Sequence, residues 1–399
     1  MALRKERGQT GIVRRIIVPF VSLFAFFLDC TVLLGIQLAA KFGLGDHTIK
    51  EQKLLNYTKR QFIVILTSIL RIVAPCKVQI TTDSDSIEDG TFYLDRSTGR
   101  LRADLSTKSV TICNHQIYTD WVFLWWLAYT GDIASNIFIM LKKSLRKIPV
   151  LGYGMENFNF IFMNRKWAQD RINMSNHLNV ISADSRGCGP LAGKKPISVN
   201  PDGEEIWDTN TIDKRNINWP YNLILFPEGT NLSAHTRKVN EAYAEKIGRT
   251  PYRHVLMPRS TGLRFCLLKL RNTVDVVYDI TIGYSGIHHT EYGQDAYSLK
   301  NIFLRGKYPK LVSIYVRAIK IDDIPIDDEL DFTEWLYKLW KEKDDLMEYF
   351  YEHGTFANKK KNQKSLTADC SIKNYEFFPV FIVPIVFVYV FYWFWKHIL

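Results

Sequence analysis

The stretch Val110-Thr111-Ile112-Cys113-Asn114-His115-Gln116-Ile117-Tyr118-Thr119-Asp120-Trp121 passes from a short β-branched run into a Trp-rich apolar segment over residues 120–129. β-branched side chains suit a strand, and the apolar segment is long enough for a helix. The histidine therefore stands at a strand-to-helix junction, with an aspartate five residues later on the first helical turn. From there the Asp120 carboxylate can fold back to accept the Nδ1 proton of His115. That would fix the tautomer and leave Nε2 as a base. A partly buried histidine beside a helix-capping aspartate gives the same pattern, so the stretch alone leaves both readings open.

Outward from this point, strand-like and helix-like segments alternate. Residues 159–163 and 223–226 read as buried strands, and residues 168–180 have helical composition. Residues 274–284 and 311–321 alternate as strands do. In residues 334–351 the side chains of Trp335, Leu336, Leu339, Trp340 and Leu346 are spaced to form one apolar helical face. Strands separated by helices predict an α/β sheet. Residues 184–220, rich in Gly, Pro, Asn and Asp, read as a long surface insertion.

Two segments have the length and composition of membrane elements, which need about 20 apolar residues. Residues 16–40 are interrupted only by Asp29 and Gln37, and residues 377–395 carry no charge. A buried core helix is the alternative for each. Trp393, Trp395 and Lys396 suit a membrane–water boundary. The first segment is too long for a secretory signal and reads as a retained anchor. Arg4, Lys5, Arg7, Arg14 and Arg15 before it place the N-terminus in the cytosol. Asp29 within it is a candidate functional group by position. Residues 62–74, which contain Arg71, are short for a span and are expected to pack on the first segment as a hairpin dipping into the membrane.

Lys and Arg number 52 against 41 Asp and Glu, a net charge of +11. Such a balance fits an anionic surface or anionic substrates. It equally suits nucleic acid, but no zinc-finger or RNP-like pattern occurs, so no nucleic-acid partner is expected. The six cysteines lack CxxC spacing, which points to reduced thiols. His288-His289 and Glu291 lack a further ligand at recognisable spacing, so no metal is expected. Lys359, Lys360, Lys361 and Lys364 read as a solvated basic linker.

Three further stretches carry chemistry. Leu225-Phe226-Pro227-Glu228-Gly229-Thr230-Asn231 ends a buried strand and sets a carboxylate, a flexible amide and a hydroxyl at the carboxyl edge of the sheet, where open α/β sheets bind ligands. By itself it is also an ordinary turn. Phe162-Met163-Asn164-Arg165 places a guanidinium past another strand, suited to phosphate, although most single arginines are surface residues. Leu256-Met257-Pro258-Arg259-Ser260-Thr261-Gly262 precedes a helix-like segment, residues 263–270, and could close over an acyl chain.

His-x4-Asp, an arginine-bearing motif, Phe-Pro-Glu-Gly-Thr and a Pro-containing apolar motif, in that order, resemble the glycerolipid acyltransferases of the PlsC type. The blocks occupy residues 115–120, 154–165, 226–230 and 255–262, and the likeness runs from about residue 53 to about residue 356. Lys142-Lys143-Ser144, Ile148-Pro149-Val150-Leu151-Gly152 and Trp335, Trp340, Lys343 and Asp344 are similar to the eukaryotic branch, which includes lysophosphatidic acid, lysocardiolipin and lysophosphatidylinositol acyltransferases. The resemblance implies an α/β acyltransferase domain, a mixed sheet flanked by helices, between N- and C-terminal membrane segments. The expected division is a membrane hairpin over 1–75, the catalytic domain over 76–356 with its insertion at 184–220, a linker over 357–376 and a membrane segment over 377–399.

The same resemblance makes His115 the general base and Asp120 its orienting partner. Arg165 would contact the acceptor phosphate, and Glu228, Gly229 and Thr230 its glycerol-phosphate portion. Pro258 would shape the acyl-CoA channel, with Lys142, Lys143 and Arg259 as further acyl-CoA contacts. A lipid hydroxyl is a weak nucleophile at neutral pH, so a base must take its proton as it attacks the thioester. Backbone amides near His115 or Gly229 are the expected donors to the thioester carbonyl. The expected enzyme takes acyl-CoA as co-substrate without a bound cofactor. It acylates an anionic lysolipid such as lysophosphatidylinositol or lysophosphatidic acid at the cytosolic face of the endoplasmic reticulum, with the lipid droplet a second location. A CoA-independent transacylase and a membrane scaffold with a vestigial site are the rival readings.

Overall fold

The computed structural model describes residues 12–45, 47–164, 166–213, 215, 218–357, 359 and 363–398. In chain order the principal elements are α1 (Ile12–Leu44), α2 (Ile49–Val73), β1 (Lys77–Thr82), β2 (Lys108–Cys113), α3 (Asp120–Thr130), β3 (Ile137–Lys142), β4 (Ile161–Met163) and α4 (Trp167–Ser185). They continue with β5 (Tyr221–Leu225), α5 (Ala234–Lys246), α6 (Ser260–Leu270), β6 (Val276–Tyr284), β7 (Leu311–Lys320), α7 (Glu329–His353), β8 (Lys364–Asp369) and α8 (Ile382–Ile398).

The strands form one eight-stranded sheet in the order β8-β1-β7-β6-β2-β5-β3-β4. From β6 to β4 every pairing is parallel. β7 is antiparallel to β6, β1 is parallel to β7, and β8 closes the far edge antiparallel to β1. The mixed α/β architecture is the expected one. Successive side chains of a strand alternate between faces, and the apolar residues follow. Val110 and Ile112 of β2 join Leu223 and Leu225 of β5 on one face, whereas Cys113 and Ile224 join the other. Helices α4, α6 and α7 cover the first face, and α2 and α3 cover the second. Strands covered on both faces read as continuous apolar runs, which is why β2 and β5 were visible in the sequence.

Residues 62–74 are the second half of a longer helix, α2, and they pack into the protein. The Thr48 hydroxyl accepts the Glu51 amide at 3.1 Å to start the helix. The Phe62 ring lies 6.4 Å from Trp121 and 5.5 Å from Trp125. The early part of α2 sends polar side chains into the interior as well, among them Thr58 and Lys59. Lys59 is fully buried, donates to the Ile137 carbonyl at 2.9 Å and sits 4.2 Å from the Phe138 ring centre. Burial pushes its ammonium down to about 7.

Helix α1 lies antiparallel along α2. Gln37 donates to Thr58 at 3.1 Å and accepts from Asn157 at 3.1 Å, so this interruption in the apolar run is a latch to the catalytic domain. Asp29 is buried as well. Phe20, Val21, Phe24, Phe27 and Phe42 are exposed. The helical segments Ile17–Leu44 and Asn374–His397 are long and apolar enough to cross a bilayer. Apolar surface of this extent needs a lipid or protein partner, and membrane association accounts for it. Arg4, Lys5 and Arg7 lie outside the described residues.

Two regions differ in detail from their sequence reading. Lys364–Asp369, within the stretch read as a linker, is an edge strand paired to β1 with Lys77 opposite Asp369. An edge strand buries only one face, so it carries no apolar run. Lys364 pairs with Asp89 at 2.5 Å, and charged edge residues discourage further strand pairing. Lys360 and Lys361 lie outside the described residues. The insertion over 184–220 is bound down at both its start and its middle. Buried Asp184 accepts the Leu191 amide at 3.0 Å, and a side chain on Gly189 would collide with that carboxylate. Glu204 pairs with Lys269 of α6 at 2.7 Å. Burial raises Asp184 to about 7.

Candidate active site

The site is built at the carboxyl ends of β2 and β5. After β2 the buried Asn114 side chain continues the pairing to β6, donating to the Ile282 carbonyl at 3.1 Å and accepting its amide at 2.8 Å. The chain therefore leaves the sheet at His115 with its backbone held. The His115 carbonyl accepts the Leu232 amide at 2.8 Å, which ties it to the segment following β5. Its ring stacks on Phe226, centroids 4.4 Å apart.

Asp120, wholly buried on the first turn of α3, receives His115 Nδ1 at its Oδ2, 2.8 Å away. The same oxygen accepts the amides of Gln116 at 2.7 Å and Ile117 at 3.1 Å. Three donors on one oxygen fix the carboxylate's position and orientation. The carboxylate also commits Nδ1 of His115 as the donor and leaves Nε2 free, on a side chain still 18% exposed. The other oxygen, Oδ1, accepts the Tyr284 hydroxyl from the end of β6. Burial and the neighbouring carboxylate hold the Tyr284 phenol well above its ordinary value, so it remains a donor. Nothing in the alternation of residues 274–284 singles out Tyr284, because its role depends on β6 lying next to β2.

Removing this hydroxyl strands one oxygen of a buried carboxylate, a loss of about 1–3 kcal/mol. Tyr284→Phe is therefore expected to lower turnover about tenfold or more with the acyl-donor KM little changed, as steady-state kinetics would read. Wild-type turnover in the variant would show that Oδ1 needs no donor.

The third motif makes a tight turn. The Gly229 amide donates to the Phe226 carbonyl at 2.9 Å, and Gly229 has φ +73, a conformation in which a side chain would be strained. Gly229 is exposed and Thr230 is half-buried, both beside the His115 ring's stacking partner. Glu228 differs from its expected place against substrate. Its carboxyl faces the interior, 4% exposed, and accepts Trp340 Nε1 of α7 at 3.3 Å. Burial raises it to about 8, a rise moderated by Trp340 and by the Leu256 and His115 amides. Glu228 thus ties the turn to α7 from inside, and the cleft side of the turn is left to Gly229 and Thr230.

Between about 4.5 and about 8 the folded protein keeps a proton on Glu228 that the unfolded chain has lost. Stability must therefore fall as pH rises through that window, by about 1.4 kcal/mol per unit of difference at most. Glu228→Gln, neutral throughout, is expected to show a flatter Tm between pH 6 and 9 than the wild type. Parallel curves would sink the assignment.

The fourth motif packs against the third, with the Arg259 amide donating to the Pro227 carbonyl at 2.8 Å. Pro258 is buried in this contact, and the Arg259 guanidinium lies 3.5 Å from the Tyr243 ring centre on α5. Its loop is held from α7 as well, since Asp344 accepts the His254 amide at 2.6 Å and Gln116 donates to the His254 carbonyl at 3.0 Å. Lys142 and Lys143 are exposed at the carboxyl end of β3, where Lys142 pairs with Met163 of β4. Arg165, the expected phosphate contact, lies outside the described residues. Of the amides near His115 and Gly229, three are already engaged: Gln116 and Ile117 with Asp120, and Gly229 with Phe226.

The family described as Acyltransferase matches residues 96–285, and that described as Acyltransferase C-terminus matches residues 302–372. A Saccharomyces cerevisiae protein named 2-acyl-1-lysophosphatidylinositol acyltransferase is 53% identical over 93% of this chain and 94% of its own length. Lysocardiolipin acyltransferase 1 of Gallus gallus is 31% identical over 62% of this chain and 55% of its own. Lysophosphatidylinositol acyltransferase 10 of Caenorhabditis elegans is 25% identical over 84% of this chain and 70% of its own. The first match covers nearly the whole length of both chains. The chain therefore belongs to the PlsC-type acyltransferase family and is an O-acyltransferase.

Proposed function

We propose that the protein transfers an acyl group from acyl-CoA to the free hydroxyl of lysophosphatidylinositol in a membrane. The observation that carries this reading is the 53% identity, over nearly the whole of both chains, to the yeast acyltransferase named for that acceptor. The site chemistry agrees with it. His115 Nε2 takes the acceptor hydroxyl proton as the oxygen attacks the thioester carbonyl. The imidazolium, held by Asp120, then returns the proton to the leaving CoA sulfur, so no covalent enzyme intermediate is needed. Gly229 and Thr230 meet the glycerol-phosphate portion, and Arg165 its phosphate. Lys142 and Lys143 stand at the neighbouring strand end, in reach of a second anionic substrate. The cytosolic face of the endoplasmic reticulum is the proposed location.

The test is transfer of labelled acyl groups by membranes containing the protein, across lysophosphatidylinositol, lysophosphatidic acid and lysophosphatidylcholine, with His115→Ala as the blank. Preference for lysophosphatidylinositol, lost in the variant, is the expected result. Preference for lysophosphatidylcholine would overturn the acceptor. Transfer from phospholipid without acyl-CoA would overturn the donor.

A further inference from the structure

The sheet edge that carries His115 also carries, three strands away, a second concave site. β7 runs antiparallel to β6, and β1 runs parallel to β7. The starts of β1 and β7 therefore lie on the same edge as the end of β2. There a cavity of about 660 Å³ is lined by Arg71, Lys77, Arg100, Lys310, Asp369 and Asn374, among others. Its four cations come from three distant stretches of the chain. Lys77 and Lys310 are joined through backbone, the Lys77 amide donating to the Lys310 carbonyl at 3.0 Å. Lys310 Nζ is turned onto the Tyr308 hydroxyl at 3.0 Å, and the Arg71 guanidinium lies 4.7 Å from the Phe377 ring centre. None of the four makes an ion pair with a carboxylate among the described residues, and Asp369 is the one acidic side chain in the lining.

Four cations gathered at a cavity with a single carboxylate leave a net positive charge, which favours an anionic occupant. Guanidinium and ammonium groups together suit phosphate oxygens. The cavity's rim includes Asn374, the first residue of the apolar segment Asn374–His397, so it opens where the chain would meet a bilayer surface. We propose that this cavity binds a phosphate-bearing headgroup, that of an anionic membrane lipid, and so presses the catalytic edge of the sheet against the membrane. The site is separate from the His115 cleft, and its occupancy needs no acyl transfer.

Native mass spectrometry of the full-length protein released from detergent micelles tests this, with phosphatidylserine, phosphatidylcholine or inorganic phosphate added. The wild type is expected to retain at least five times more phosphatidylserine than phosphatidylcholine. Arg100→Gln with Lys310→Gln should bring the two to parity, and Lys77→Glu, at an exposed side chain, should lower the ratio without touching the interior. Lys320→Gln with Lys338→Gln, which removes the same charge from exposed positions outside the cavity, should keep the wild-type ratio. Equal retention of the two lipids by the wild type, or a ratio indifferent to the cavity variants, overturns the proposal. Phosphate adducts that vanish in the cavity variants, without any lipid preference, would overturn the lipid source in favour of a soluble phosphate. Because the readout is binding, it stands whether or not the proposed acceptor is right.

Discussion

Asp120→Asn is expected to reduce acyl transfer by about 10⁴-fold, the scale seen when a histidine's orienting aspartate is changed to asparagine in serine proteases. Asparagine has the same shape, and its single carbonyl oxygen can take the place of Oδ2 toward His115, Gln116 and Ile117. Its amide then faces the Tyr284 hydroxyl, which can rotate to accept. The fold should survive, so Tm is expected to change little. What is lost is the negative charge that holds an imidazolium at His115 while the acceptor's proton rests there. Steady-state turnover at saturating acyl donor, together with Tm of the purified chain, separates the two effects. A loss below tenfold in a folded variant would show that His115 works without Asp120 or is not the base.

The second large effect lies away from the reacting atoms. Lys343→Met is expected to lower Tm by about 10 °C, from a loss of about 3–5 kcal/mol on breaking a buried charge pair. Lys343 is fully buried on α7, 2.5 Å from Asp279 on β6, and it also donates to the Ile280 carbonyl at 2.6 Å. Without it Asp279 keeps only Arg317, at 2.7 Å. Trp340 lies one turn earlier on the same helix and holds Glu228, so loosening α7 should also release the turn that carries Gly229 and Thr230. Adding Asp279→Asn to the variant should restore part of the loss, because the stranded charge is then gone. A single variant as stable as the wild type would mean that Arg317 alone neutralises Asp279.

The parts of the site that were legible share one property: their partners lie close in the chain. His115 and Asp120 are five residues apart across a strand-to-helix junction, and the local geometry of that junction brings them together. The Phe-Pro-Glu-Gly-Thr turn was legible because glycine at positive φ and proline after a buried strand are local signals. Glu228 was misplaced because its direction depends on Trp340, which is 112 residues away. Tyr284 was passed over for the same reason, lying 164 residues from the carboxylate it serves.

The sequence by itself determined the α/β class, the two long apolar segments, the His–Asp pair and the order of the motifs that marks the family. Each rests on periodicity, composition or close spacing, and these survive in any fold the chain adopts. Only the tertiary structure decided that β8 closes the sheet beside β1, that α2 packs inside the enzyme, and that Glu228 turns inward. It alone gathered four cations, from three distant stretches of the chain, beside the root of the last helix. Edge strands, buried lysines and composite cavities draw their free energy from neighbours far off in the chain, so no local pattern announces them.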